Sequence, residues 1–218
     1  RSAEYLLYAP GETDRSLPSL TGLYAILTAI AQALAAHYRL PHLDTGLLYR
    51  AVGRQVFLDG GSPDDPGDAL AATSFPESLL SDTELRSEAA GGLASRVSVH
   101  PAVREALFER QRSFAVQPGG AVLDGRDIGT VIAPDAEVKL FVTASVEARA
   151  LRRWKEMQLR GEPHTLAEIE ADLRRRDERD RTRAEAPLKA AKDAVILDTS
   201  ELNREESIAA AIALVEAK

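Results

Sequence analysis

The sequence predicts an α/β fold, a five-stranded parallel sheet flanked by helices. Two observations predict it. Short apolar runs bounded by Pro, Gly and polar residues alternate with longer stretches of helical period, and that alternation implies a parallel sheet covered on both faces. The run from Ala121 to Thr130 then gives the sheet an edge: small and apolar residues end in Asp124, followed by Gly125, Arg126, Asp127, Gly129 and Thr130. A buried strand is expected there, delivering an Asp, an Arg and a second Asp to the carboxyl edge, where open α/β sheets bind ligands.

The elements follow in order. Tyr5–Ala9 reads as a short strand ended by Pro10 and Gly11, and Thr21–Tyr38 as an Ala- and Leu-rich helix with Thr21 as its N-cap. Pro41–Leu43 is a brief second strand, and Asp44-Thr45-Gly46 leads into a helix from Leu47 to about Leu58. Residues 60–81 read as loop, broken by Asp, Pro and Gly, with a few Ala and Leu turns. Helices are expected over Ser87–Val97 and over Pro101–Ala115, the second with Pro101 near its first turn. The strand ending at Asp124 is followed by a fourth over Val138–Val142. Helices run from Val146 to about Arg160 and from Leu166 to about Arg181, separated by Gly161 and Pro163. A fifth strand over Ala194–Leu197 and a helix over about Arg204–Glu216 close the chain. Two helical excursions from the sheet suit an enzyme whose flaps close over a substrate.

Composition narrows the function. The chain has 218 residues, 44% hydrophobic and 28% charged, as in an ordinary globular protein. There is no cysteine, which excludes thiol catalysis, disulfides and Cys-based zinc sites. The net charge of −7 argues against a general nucleic-acid binder. No apolar stretch reaches the roughly 18 residues of a membrane span, and the first residues lack the apolar core of a secretory signal. A cytoplasmic protein is expected, not a general nucleic-acid binder and not a membrane protein.

Three clusters carry candidate chemistry. Asp124, at a strand end, can hold Mg²⁺ beside nucleotide phosphates, often through water, or can simply cap the following turn. Arg126 between two acids suits bidentate phosphate binding. Thr45 sits at a strand-to-helix turn, where its hydroxyl can bond a ligand or cap the helix, and Arg50 lies one helical turn beyond Gly46. Arginines crowd the stretch from Arg149 to Arg183 with acids interleaved. Most of these are expected to lace a solvated helix with ion pairs, and a few in the dense Asp177–Arg183 run to neutralise a transferred phosphoryl group. By spacing alone Ser95 and Arg104 are ordinary helix residues. His37, His42, His100 and His164 share no metal-ligand spacing, so no histidine metal site and no Ser-His-Asp triad is read.

Several runs in order resemble one family. They are Leu43–Arg50 (LDTGLLYR), Ala94–Val97 with Pro101–Leu107, Asp124–Thr130 (DGRDIGT), Pro134–Phe141, Arg176–Leu188 (RDERDRTRAEAPL) and Leu197–Ser200. Together they resemble the cytidylate kinases, P-loop nucleoside-monophosphate kinases, from about Ile30 to the C-terminus. The resemblance implies ATP- and Mg²⁺-dependent phosphorylation of CMP and dCMP. It implies that Thr45, Ser95, Arg104 and Asp127 surround the cytosine, that Arg50, Arg126 and Arg183 hold the monophosphate, that Asp180 bonds the sugar, and that Asp124 serves the metal. It also implies a core of residues 1–58, 101–145 and 182–218, a monophosphate-binding insert over 59–100 and a lid over 146–181, whose arginines Arg153 and Arg176 close on the transferred group.

The N-terminus departs from the family pattern. The glycine-rich loop whose amides wrap the phosphates and whose Lys bridges them would fall on Thr21–Ala29, with the Lys at Leu27. Only Gly22 is a glycine there, and the first lysine of the chain is Lys139. Three accounts fit: altered N-terminal residues, favoured by the abrupt return of the match at Ile30; a homologue that keeps the CMP site but transfers phosphate poorly; or a replaced segment. Loss of the Lys and amides predicts a cost of several kcal/mol in transition-state stabilisation for the chain as written.

Overall fold

The computed structural model describes residues 5–8, 23–125, 127–159, 163–182 and 190–218. Its strands are β1 (Tyr5–Tyr8), β2 (His42–Asp44), β3 (Val122–Gly125), β4 (Val138–Thr143) and β5 (Val195–Asp198), in the spatial order β2-β3-β1-β4-β5. The registered pairs run parallel: Leu7 of β1 lies opposite Asp124 of β3 and Leu140 of β4, and Leu140 lies opposite Val195 of β5. Parallel neighbours require crossover connections, here supplied by helices.

The helices are α1 (Leu23–Tyr38), α2 (Thr45–Leu58), α3 (Pro66–Ala71), α4 (Glu88–Val97), α5 (Pro101–Ala115), α6 (Val146–Leu159), α7 (Leu166–Thr182) and α8 (Arg204–Glu216). Their ends have local causes. Asp44 caps α2, its side chain accepting from the Leu47 amide at 3.1 Å, so the cap falls one residue before Thr45. Ser87 caps α4 through the Ala90 amide. Asn203 and Glu206 form a reciprocal capping box at the start of α8. Helix α1 ends at Arg39, which takes the left-handed conformation (φ 56°) while the Leu40 amide reaches back to the Ala35 carbonyl at 2.8 Å. The expected cap Thr21 lies outside the described residues. The stretch 60–81, read from the sequence as loop with a few Ala and Leu turns, contains α3 and two 3₁₀ turns, and a third 3₁₀ turn follows over Thr83–Arg86. Their Pro, Asp and Gly content concealed short helical turns that bury Ala69, Phe75, Leu79 and Leu85.

The chain divides into two compact units. Among the described residues the first comprises β1, the stretch ending at Leu43, and Ala115–Lys218; the second is Asp44–Phe114. Helices α2 and α5 therefore belong with the segment expected as the insert, and α6 and α7 with the sheet. The core of the first unit joins Ile26, Leu27, Ile30 and Leu34 of α1 and Ala211 and Val215 of α8 to Val122, Leu140, Val142 and Leu197 of the strands. In the second unit α2 packs on α4 closely enough that a Cβ on Gly53 would lie 2.6 Å from Leu93 Cβ, so only glycine fits there.

Within β4 one buried charge is tied down. The Lys139 side chain is 2% exposed, and its Nζ donates to Asp193, just before β5. That bond holds the Asp193 carboxyl below the usual carboxylate range. A depressed acid stabilises the fold above its unfolded-state pKa, and the contribution is lost as the pH falls through the folded-state value. Because Asp193 is 63% exposed, the effect is screened and small. Asp193→Asn is therefore expected to flatten the loss of thermal stability on acidification below about pH 4, as measured by melting temperature against pH; an unchanged pH slope would contradict the pairing.

Candidate active site

In the first unit β3 carries the site residue Asp124 near its end. Val122, Leu123 and Asp124 are all fully buried, so the strand carries a carboxylate into the interior. A buried carboxylate has to be paired. Thr28 Oγ1, on α1, donates to Asp124 Oδ2 at 3.0 Å. His42 Nε2, on β2, meets Asp124 Oδ1 at 2.9 Å. An ionised carboxylate only accepts, so in that state Nε2 carries the proton in this bond. Both partners were invisible in the sequence, where residues 28, 42 and 124 are far apart. The order β2-β3 in the sheet brings His42 beside Asp124.

Beyond Asp124 the backbone turns sharply. Asp127 begins a π-helical turn over Ile128–Ile132, and its carbonyl accepts from the Val131 amide at 2.8 Å and from Thr130 and Ile132 at 3.3 Å. Such turns are rare and recur at functional sites. Arg126 lies outside the described residues, as do Arg183 and the side chains of Arg176 and Asp180. Where the sequence sets the phosphate loop, the chain is helix from Leu23 onward, and Leu27 is a core residue, 2% exposed. Thr21 and Gly22 of that stretch lie outside the described residues.

The arginine-rich helices are bound to each other and to the sheet. Arg149, 4% exposed, forms a bidentate pair with Asp177 of α7, at 3.0 and 2.5 Å, and its Nε donates to the Ala144 carbonyl. Arg174 pairs with Glu147 at 2.7 Å and with Glu170, and Arg175 with Asp172 at 2.8 Å. These are the ion-pair lacing expected of a solvated helix face. Arg153, expected to close on the transferred group, is buried at 2% exposure. Arg152 donates to the carbonyls of Thr199 and Leu202, and burial lowers its pKa from the ordinary value against the opposing pull of Asp198. Asp198 is held below the usual carboxylate range by the hydroxyl and then the amide of Ser200.

In the second unit Thr45 is buried at the first position of α2. Arg50, further along α2, is half-buried, and its Nη1 donates to the carbonyls of Leu85 and Ser87, both at 3.0 Å. Ser95 lies on α4 and Arg104 on α5, each half-buried.

A single carboxylate is a sufficient protein contribution to a Mg²⁺ site, because Mg²⁺ keeps several waters and takes most other ligands from substrate phosphates. Asp124 fits that role. Thr28 and His42 orient its two oxygens, and an ionised carboxylate is the hard oxygen donor that Mg²⁺ prefers. No group of three or more His, Cys, Asp or Glu able to cage a metal occurs among the described residues. Nor, among them, is any helix long and apolar enough to cross a membrane.

Comparison with known proteins decides the family. The family model described as Cytidylate kinase matches residues 68–217. The chain is 55% identical over 188 residues to a cytidylate kinase of Caulobacter sp. (strain K31), covering 86% of this chain and 87% of that one. The chain belongs to the cytidylate kinase family. A second cytidylate kinase, from Rhodopseudomonas palustris (strain TIE-1), is 55% identical over 190 residues, covering 86% of this chain and 89% of that one. An uncharacterized protein from Eubacterium ventriosum ATCC 27560, of known crystal structure, matches over the full length of both chains at 11% identity with a TM-score of 0.53, a likeness of fold alone. Membership of the cytidylate kinase family agrees with the α/β architecture.

The hydroxyl on Asp124 gives a direct test of the site's construction. Removing it by Thr28→Val should cost about 1–3 kcal/mol, because a buried acceptor loses its donor, whereas Thr28→Ser should restore stability. Denaturant unfolding of the two variants measures this, and a Thr28→Val protein as stable as the parent would contradict the bond.

Proposed function

We propose that the chain transfers the γ-phosphoryl group of ATP to CMP and dCMP, yielding CDP and dCDP. The observation that carries this reading is the 55% identity to cytidylate kinases over 86% of the chain. A phosphate oxygen of the acceptor attacks the γ-phosphorus in line; the new P–O bond forms as the bond to the ADP oxygen breaks. Little covalent chemistry is asked of the protein, so positioning and charge neutralisation supply the catalysis.

Arg50, Arg126 and Arg183 hold the acceptor phosphate. Thr45, Ser95, Arg104 and Asp127 recognise the cytosine, and Asp180 the sugar. Arg153 and Arg176 bear on the transferred group, Arg153 through a guanidinium that is buried in this structure. Asp124 would hold a Mg²⁺ ion, with Thr28 and His42 fixing the carboxylate; the ion would supply charge neutralisation at the donor phosphates. We place the protein in the cytoplasm, acting as a monomer on small nucleotides. Residues 59–100 act as the monophosphate-binding insert and 146–181 as the lid.

Steady-state assay of the diphosphate formed from each acceptor with ATP, using CMP, dCMP, UMP and AMP, tests the proposal. A kcat/KM for CMP and dCMP at least about tenfold above those for UMP and AMP is expected, the discrimination a site built to hydrogen-bond one base supplies. A better rate with UMP or AMP, or no CDP at saturating CMP, overturns it.

A further inference from the structure

Arg50 is anchored in an unusual way. Its Nη1 donates both hydrogens to backbone carbonyls, those of Leu85 and Ser87, at 3.0 Å each. The Ser87 carbonyl also accepts the Gly91 amide at 3.2 Å, so the same oxygen starts α4 and fixes the guanidinium. Nε and Nη2 have no partner among the described residues. They form the side-on edge of the guanidinium, the two parallel donors that match a phosphate.

Gly91 closes the arrangement from the other side. A Cβ built there would lie 3.3 Å from Arg50 Nη2, 3.5 Å from Nη1 and 3.6 Å from Cζ. The first of these is tighter than ordinary contact, and the group that would have to yield, by a few tenths of an ångström, is Nη2 of the guanidinium. Gly91 sits inside α4, where glycine is a poor helix former and alanine a good one. Gly92 follows in the same helix, and a Cβ there would meet nothing within 4 Å. Two adjacent helical glycines thus differ in one respect: only the first faces Arg50.

We propose that Gly91, with the Leu85 and Ser87 carbonyls, is a positioning element that presents the Nε–Nη2 edge of Arg50 to the acceptor monophosphate, so that glycine at 91 serves substrate affinity at the expense of helix stability. The inference rests on the reading of Arg50 as a monophosphate ligand. A methyl at 91 presses on Nη2, turns the fork off the phosphate and weakens CMP binding while the helix gains.

The test compares Gly91→Ala and Gly92→Ala, each in the parent and in Arg50→Lys, by calorimetric titration with CMP, steady-state kinetics and melting temperature. Both alanine variants should melt at or above the parent temperature. Gly91→Ala should weaken CMP binding by about tenfold, roughly the equivalent of one lost charge-assisted bond, raising KM more than it lowers kcat; Gly92→Ala should leave CMP binding at the parent value. In the Arg50→Lys background Gly91→Ala should add nothing. If Arg50→Lys itself leaves CMP affinity unchanged, the monophosphate reading of Arg50 fails. If Arg50→Lys weakens CMP but Gly91→Ala does not, or if the Gly91→Ala effect persists in full in the Arg50→Lys background, or if Gly91→Ala melts below the parent, the positioning role is overturned.

Discussion

The structure of the first unit turns on one buried carboxylate. Asp124 lies at the end of a strand with no exposure to solvent, and a charge in that place is tolerable only when its neighbours are fixed around it. Thr28 comes from α1 and His42 from β2, so the requirement to satisfy Asp124 ties the first helix and an edge strand to the centre of the sheet. The same requirement prepares the site. A carboxylate whose direction is already set by two hydrogen bonds is preorganised, which is the condition under which electrostatic stabilisation is most effective.

The second unit meets its requirement differently. Arg50 is held through carbonyls, not through an acid. An acid partner would compete with a phosphate for the same donors, whereas two neutral carbonyls on one nitrogen leave the other edge and the full positive charge in place. Asp124 and Arg50 therefore share a principle of construction: each side chain is oriented by hydrogen bonds from fixed neighbours.

Much of the architecture was legible in the residues. The parallel pairings of β1, β3, β4 and β5 follow from strands separated by helical stretches, and α5 and α8 begin at Pro101 and just after Asn203, residues whose chemistry favours helix starts. Residues 66–86 were less legible, because turn-forming residues there conceal short helices whose few apolar side chains are buried. At α2 both Asp44 and Thr45 are competent caps, and only the backbone angles at Asp44 select it. The candidate site was legible as a set of residue types on runs that resemble a family, and Asp124, Thr45 and Arg50 came from those runs. The partners were not legible. Nothing local marks Thr28, His42 or Gly91, because each acts on a residue distant in the chain. For Leu27 the sequence and the structure agree on helix and on an apolar side chain, which the family's phosphate loop does not explain.

The central claim is that Asp124 serves the donor side of a CMP-phosphorylating enzyme while the acceptor is held by other residues. Calorimetric titration of the parent and of Asp124→Asn with CMP, and separately with ATP and Mg²⁺, tests it most directly when paired with the rate of CDP formation. The account predicts CMP affinity unchanged within about twofold, weaker ATP binding in the presence of Mg²⁺, and a rate lowered by about a hundredfold or more, the scale of losing one preorganised electrostatic group. An Asp124→Asn protein that forms CDP at the parent rate, or that loses CMP binding while keeping that of ATP, would contradict it.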